Sequence, residues 1–80
     1  MTTHREKLLT RFGKDLLSIR KAAGLTQEQV ADRSGLHVNY IGGLERGERN
    51  PTMVTLAALA AGLGCDVTDL VSGIRPQRSR

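Results

Sequence analysis

Two small residues four positions apart, Ala31 and Gly35, constrain this chain more than anything else in it. Helices cross steeply at close range only where a small residue lies at the crossing and the connecting turn accepts a left-handed backbone. Counting from Gln27, the residues Val30, Ala31, Gly35, Leu36, Ile41 and Leu44 fill the positions where such a unit needs apolar, small, turning, apolar, apolar and apolar side chains. An ordinary helical hairpin would tolerate the same pattern.

The flanking sequence extends the helical reading. Leu9, Phe12, Leu16, Ile19 and Ala23 recur at steps of three and four, one apolar stripe on a first helix of about five turns. Gly24 stands where a left-handed residue would end that helix. Thr26-Gln27-Glu28-Gln29 has the form of a capping box, opening a short second helix whose inward residues are Val30 and Ala31. A third helix is predicted from about His37 to Arg46, with Ile41 and Leu44 inward and Gly47 as its stop. Glu48-Arg49-Asn50-Pro51 reads as a loop, and Thr52 caps a fourth helix. Met53, Val54, Leu56, Ala57, Leu59, Ala60 and Leu63 make that helix apolar around much of its circumference, which predicts a central place in the core, with Gly64 at its end. Val67, Leu70, Val71 and Ile74 suggest a short fifth helix capped by Asp66 or Thr68. The expected fold class is all-α, a compact five-helix domain over residues 1–74 with its core at about 8–72, followed by a basic, disordered tail at 75–80.

Eighty residues leave no room for a second domain. A core this small is marginal alone, so self-association would help hold it. Twelve Lys and Arg against eight Asp and Glu favour polyanionic partners, and residues 1–25 hold six of the basic and two of the acidic groups. The lone Cys65 excludes an intramolecular disulfide and has no zinc-ligand company, which fits a reducing cytoplasm. No apolar run approaches a membrane span and the N-terminus lacks a signal peptide's apolar stretch. Neither a phosphate-binding glycine loop nor a catalytic or metal-binding constellation is present, so no enzyme, cofactor, metal or small-molecule ligand is expected. Phe12 and Tyr40 are the only aromatics, too few for a single-strand stacking platform, so among the polyanions the charge favours a duplex is expected over single-stranded nucleic acid.

Thr26-Gln27-Glu28-Gln29-Val30-Ala31, Ser34-Gly35-Leu36 and Tyr40-Ile41-Gly42-Gly43-Leu44-Glu45-Arg46-Gly47 together resemble the phage lambda repressor/Cro-like family of helix-turn-helix regulators, also called the xenobiotic-response-element regulators. The run from Asn39 to Asn50 is similar to the controller proteins of restriction–modification systems, small dimeric regulators that bind palindromic operators. The resemblance implies that helices 2 and 3 form the helix-turn-helix and that helix 3 enters the major groove. His37, Val38 and Asn39 are then the base-reading candidates: Asn pairs bidentately with adenine, Val covers a thymine methyl, and His reaches a base or phosphate. Val38 stands where controller proteins often carry arginine, so their operator does not transfer. Gly42 and Gly43 present no side chain, which implies a bare second half of the helix face.

Phosphate contacts are expected from Gln27 at the start of helix 2, the Tyr40 hydroxyl, Arg46, Arg49 and Asn50. Glu48 is expected to form a surface pair with the adjacent Arg49. Arg20 and Glu45 match a family ion pair tying helix 1 to the end of helix 3. A homodimer would place two recognition helices about 34 Å apart on half-sites one helical turn apart. Val67, Leu70, Val71 and Ile74 are the candidate seam. With Leu17, the same region could instead bind a protein partner, making the chain an antitoxin or adaptor.

Overall fold

A computed structural model describes residues 3–76. Among them are five helices: α1 (His4–Ala22), α2 (Gln27–Ser34), α3 (Val38–Glu45), α4 (Met53–Leu63) and α5 (Val67–Val71). The all-helical class and the helix order agree with the sequence reading. Of the expected basic tail, only Arg75 and Pro76 fall inside the described residues.

Local chemistry sets most of the boundaries. The Thr26 hydroxyl accepts from the Gln29 N–H at 3.1 Å, and the Gln29 carboxamide accepts from the Thr26 N–H at 2.8 Å, the capping box read from the sequence. A second box, Thr3 with Glu6, starts α1. The α3 boundaries lie one residue inside the predicted ones, because His37 and Arg46 are its caps rather than its first and last turns. Thr52 caps α4 as expected, its hydroxyl accepting from the Thr55 N–H at 3.1 Å. At α5 the Asp69 carboxylate accepts from the Asp66 N–H at 2.9 Å.

The core gathers Phe12 and Leu16 from α1, Val30 from α2, Ile41 and Leu44 from α3, Leu56, Leu59, Ala60 and Leu63 from α4, and Leu70 from α5. Each of the larger side chains, Ala60 aside, contributes about 1.5–3 kcal/mol when taken from water, so the fold depends on this one cluster. α4 packs on α2, α1 runs behind α3, and α5 touches both α1 and α4. The α1–α3 approach demands glycine, and the α2–α4 approach is tight at another. A Cβ on Gly13 would lie 2.5 and 2.6 Å from the Glu45 and Leu44 carbonyl oxygens, and one on Gly62 would lie 3.1 Å from the Ser34 backbone nitrogen.

Three expectations are corrected here. Met53 and Val54, read as core-facing, are 75% and 80% exposed: α4 turns a buried face of Thr55, Leu56, Leu59 and Leu63 inward and leaves its first residues on the surface. Ala23 is exposed and caps α1 instead of extending its apolar stripe. Leu70 is fully buried within the protomer, so it offers no surface to a partner copy and leaves the expected dimer seam.

Candidate nucleic-acid interface

The turn between α2 and α3 follows from Gly35, whose φ of 76° is left-handed and whose N–H donates to the Ala31 carbonyl at 2.9 Å. Leu36 then packs against the core, and His37 opens α3 by accepting the Asn39 N–H on Nδ1 at 3.1 Å. The His37 ring nitrogen Nδ1 is thus occupied by the cap, and only Nε2 remains to reach outward. Val38 is half-buried beside Glu28, Leu36 and His37. Asn39 is exposed on the first turn of α3, its amide turned to no other residue by any hydrogen bond among the described residues. Of the three base-reading candidates, Asn39 is the one with the most freedom to read an edge.

The far end of α3 is anchored by a charged cluster. Arg20 donates from Nε to Glu45 Oε2 at 2.6 Å and from Nη2 to Oε1 at 3.1 Å, a bidentate pair. Its Nη1 reaches the Leu25 carbonyl at 2.9 Å. The two side chains are only 11% and 5% exposed, and the Glu45 hydrogen bond pushes the guanidinium above its ordinary pKa. Gln27 completes the cluster by donating from Nε2 to Glu45 Oε1 at 2.8 Å. The carboxamide expected on a phosphate is therefore engaged internally, tying α2 to α3. What α2 still offers an anion is its N-terminal backbone.

α3 ends in a Schellman turn. Gly47, with φ of 77°, donates to the Leu44 carbonyl at 3.1 Å, and Glu48 donates to the Gly43 carbonyl at 2.9 Å. This reversal folds the flanking arginines back along the helix. A Cβ on Gly42 would lie 3.0 Å from Arg46 Nη1, and a Cβ on Gly43 would lie 2.9 Å from Arg49 Cγ. The face expected to be bare is thus roofed by two arginine side chains, and both glycines are buried. Glu48 pairs with Arg46 at 3.0 Å, not with Arg49 as expected. Both partners are more than half exposed, so the pair is worth little. Its hydrogen bond nonetheless lowers the Glu48 pKa and raises that of Arg46.

Tyr40 holds α3 against α4. Its hydroxyl lies 3.3 Å from Thr55 Oγ1, which also accepts from the Thr52 hydroxyl at 3.1 Å. The ring is half-buried against the core, so Tyr40, expected on a phosphate, also packs α3 in place. Thr55 and this hydroxyl chain were not evident from sequence, where a threonine inside an apolar helix looks like a surface residue. Asn50 is exposed in the loop, and Pro51 sits between it and the start of α4. Val71 and Ile74 are half-buried and share a groove with Leu8, Leu9 and Phe12, while Val67 packs partly against the core. Among the described residues no group of three His, Cys, Asp or Glu could hold a metal ion, and no helix is long and apolar enough to cross a membrane.

Comparison with known proteins agrees with this geometry. The helix-turn-helix family HTH_3 matches residues 16–70. The HTH-type transcriptional regulator y4dJ of Sinorhizobium fredii is 47% identical over 60 residues, which are 75% of this chain and 78% of that protein. Control protein C.SmaI of Serratia marcescens is 46% identical over 61 residues, covering 76% of this chain and 73% of its own. The crystal structure of the restriction-modification controller protein C.AhdI from Aeromonas hydrophila superposes with a TM-score of 0.76 at 44% identity, over 78% of this chain and 94% of that one. By sequence and by fold, the chain belongs to the helix-turn-helix family, alongside transcriptional regulators and restriction-modification controller proteins.

Proposed function

We propose that residues 1–74 form a sequence-specific, double-stranded DNA-binding regulator that acts in the cytoplasm as a homodimer on a palindromic operator, in the manner of a restriction-modification controller. The observation that carries this reading is the exposed first turn of α3, with Asn39 outward, held rigidly at its other end by the Arg20–Glu45–Gln27 cluster. A base-reading side chain discriminates only when its mount does not move, and both ends of α3 are tied to neighbouring helices. Asn39 reads a base edge, with Val38 and His37 beside it; Arg46, Arg49, Asn50, Tyr40 and the α2 N-terminus hold phosphates. No catalytic role is assigned to any residue.

The dimer seam is best drawn at Met53 and Val54. Among the described residues these are the large hydrophobic side chains left exposed, and they are adjacent at the start of α4. Contiguous exposed apolar surface marks association sites, and this adjacent pair is where the described surface offers large apolar side chains together.

Selection of bound duplexes from a random pool tests the whole reading. Enrichment of a palindrome with half-sites one helical turn apart is expected. Failure to enrich any sequence would refute sequence-specific binding, and a single asymmetric site would refute the dimer.

A further inference from the structure

Helix α1 carries a charged surface that the proposed interface does not use. Lys7, Thr10, Arg11 and Lys14 recur at steps of three and four, are all exposed, and line one shallow concavity. The acidic groups nearby engage partners other than the two lysines, and Asp15 answers the charge of Arg11 on this same face. Glu6 accepts from the Thr3 N–H at 2.8 Å, and Asp15 pairs with Arg11 at 3.0 Å. Neither Lys7 nor Lys14 has an acidic partner among the described residues. Two ammonium groups therefore stand on one face without an ion pair among the described residues.

That face abuts the α3–α4 loop. A Cβ on Gly47 would lie 3.2 Å from both the Cα and the Oγ1 of Thr10, so Thr10 packs directly against the residue that folds Arg46 and Arg49 into place. Lys7 and Lys14 lie three residues before and four after Thr10, about 4.5 and 6 Å along the helix axis at 1.5 Å per residue. Through the Thr10–Gly47 contact, the α1 face that carries the two lysines adjoins the loop that carries Arg46 and Arg49.

We propose that Lys7 and Lys14 bind the phosphate backbone of the same duplex beyond the contacts made by Arg46 and Arg49, lengthening the footprint without reading bases. The inference rests on the DNA-binding reading and adds a second, sequence-independent anchor to it. Charge complementarity and continuity with the loop favour DNA over an acidic protein surface, which would have no reason to lie beside the recognition helix.

The test is the salt dependence of binding to a random-sequence duplex of about 40 base pairs, measured by fluorescence anisotropy between roughly 50 and 200 mM salt. Loss of two phosphate contacts lowers the log–log slope by about 1.8, so the affinity deficit of K7Q/K14Q per bound protomer should shrink about 12-fold across that range. The control R33Q/A61E removes the same charge from exposed positions on α2 and α4 and should leave the slope near that of the wild type. An unchanged slope in K7Q/K14Q, or an equal drop in both variants, overturns the proposal; the first would leave the two lysines for another acidic partner, the second would make theirs a diffuse field effect. Competition between selected and random duplexes separates this from the parent reading. A wild type without sequence preference but with the expected slope change would sink sequence specificity alone, whereas a selective wild type with no slope change would sink only the α1 anchor. Wild type that binds no duplex overturns both.

Discussion

Replacing Arg20 with alanine should cost this domain a large share of its stability. The substitution removes two charge-assisted hydrogen bonds to Glu45, at 2.6 and 3.1 Å, and one to the Leu25 carbonyl at 2.9 Å. What remains is a carboxylate 5% exposed with the Gln27 amide, at 2.8 Å, as its one neutral donor. Breaking a buried pair from one side typically costs about 3–5 kcal/mol, because the surviving charge is left without compensation. A chain of this length is stabilised by roughly 4–12 kcal/mol in total. At about 4–8 °C per kcal/mol for small domains, the melting temperature should fall by at least roughly 12 °C, measured by far-ultraviolet circular dichroism. The raised pKa of Arg20 means that its contribution is fully present below the ordinary arginine range and is lost only above it, so the guanidinium should keep its charge at the alkaline pH values proteins tolerate. The double variant R20M/E45M removes both charges and should recover most of the loss, since desolvation no longer has to be offset. A loss below about 1 kcal/mol in R20A, the range of exposed pairs, would refute the burial argument. Reduced DNA affinity at unchanged stability would instead assign Arg20 to the DNA.

Other outcomes follow from the same geometry. Asn39→Ala should relax preference at one base pair of each half-site, at about 1–3 kcal/mol per lost bidentate contact, whereas Arg46→Ala should weaken all duplexes nearly equally; similar behaviour in competition binding would contradict this division of roles. Gly13→Ala should destabilise by about 1–3 kcal/mol or more despite alanine's helix propensity, because the new Cβ meets two backbone carbonyls that cannot yield. Gly43→Ala meets only the flexible Arg49 stem, so its melting temperature should hold while DNA affinity falls; the reverse ranking in thermal melts would show that the α1–α3 approach is looser than described. M53K/V54K should shift the chain toward monomer in analytical ultracentrifugation without lowering protomer stability, and an unchanged sedimentation profile would move the seam elsewhere.

Features governed by neighbours in sequence were legible, and features governed by the approach of distant elements were not. The Thr26–Gln29 box, the Thr52 cap and the left-handed glycines at 24, 35, 47 and 64 each depend on a few adjacent residues, so the helix order could be read directly. Gly13 could not be understood that way. Inside the α1 stripe it looks like a flaw, and only the Leu44 and Glu45 carbonyls lying over it explain why no larger residue fits. The exposure of Met53 and Val54 was hidden for a related reason: on a helix apolar all round, periodicity carries no information about which side meets the core. Leu70 shows the converse, since its spacing with Val67, Val71 and Ile74 suits a surface seam as well as a buried contact.

The recognition surface changes character once the Schellman turn is taken into account. From sequence, Gly42 and Gly43 leave half of α3 without side chains, and specificity would rest on His37, Val38 and Asn39 alone. In the folded chain those glycines are the seats on which Arg46 and Arg49 lie, and Gly47 is the pivot that turns both arginines back. A side chain at either seat would lift an arginine off the helix, so the absence of side chains there is what allows charge to be delivered. The proposed interface is composite: the start of α3 offers short side chains suited to base edges, and the loop beyond it offers long cations suited to phosphates. Because Gly47 rests on Thr10 of α1 and Glu45 is held by Arg20 of the same helix, both halves are referenced to one rigid element. Reading and anchoring can therefore be altered by separate substitutions, yet neither half can shift relative to the other without disturbing α1.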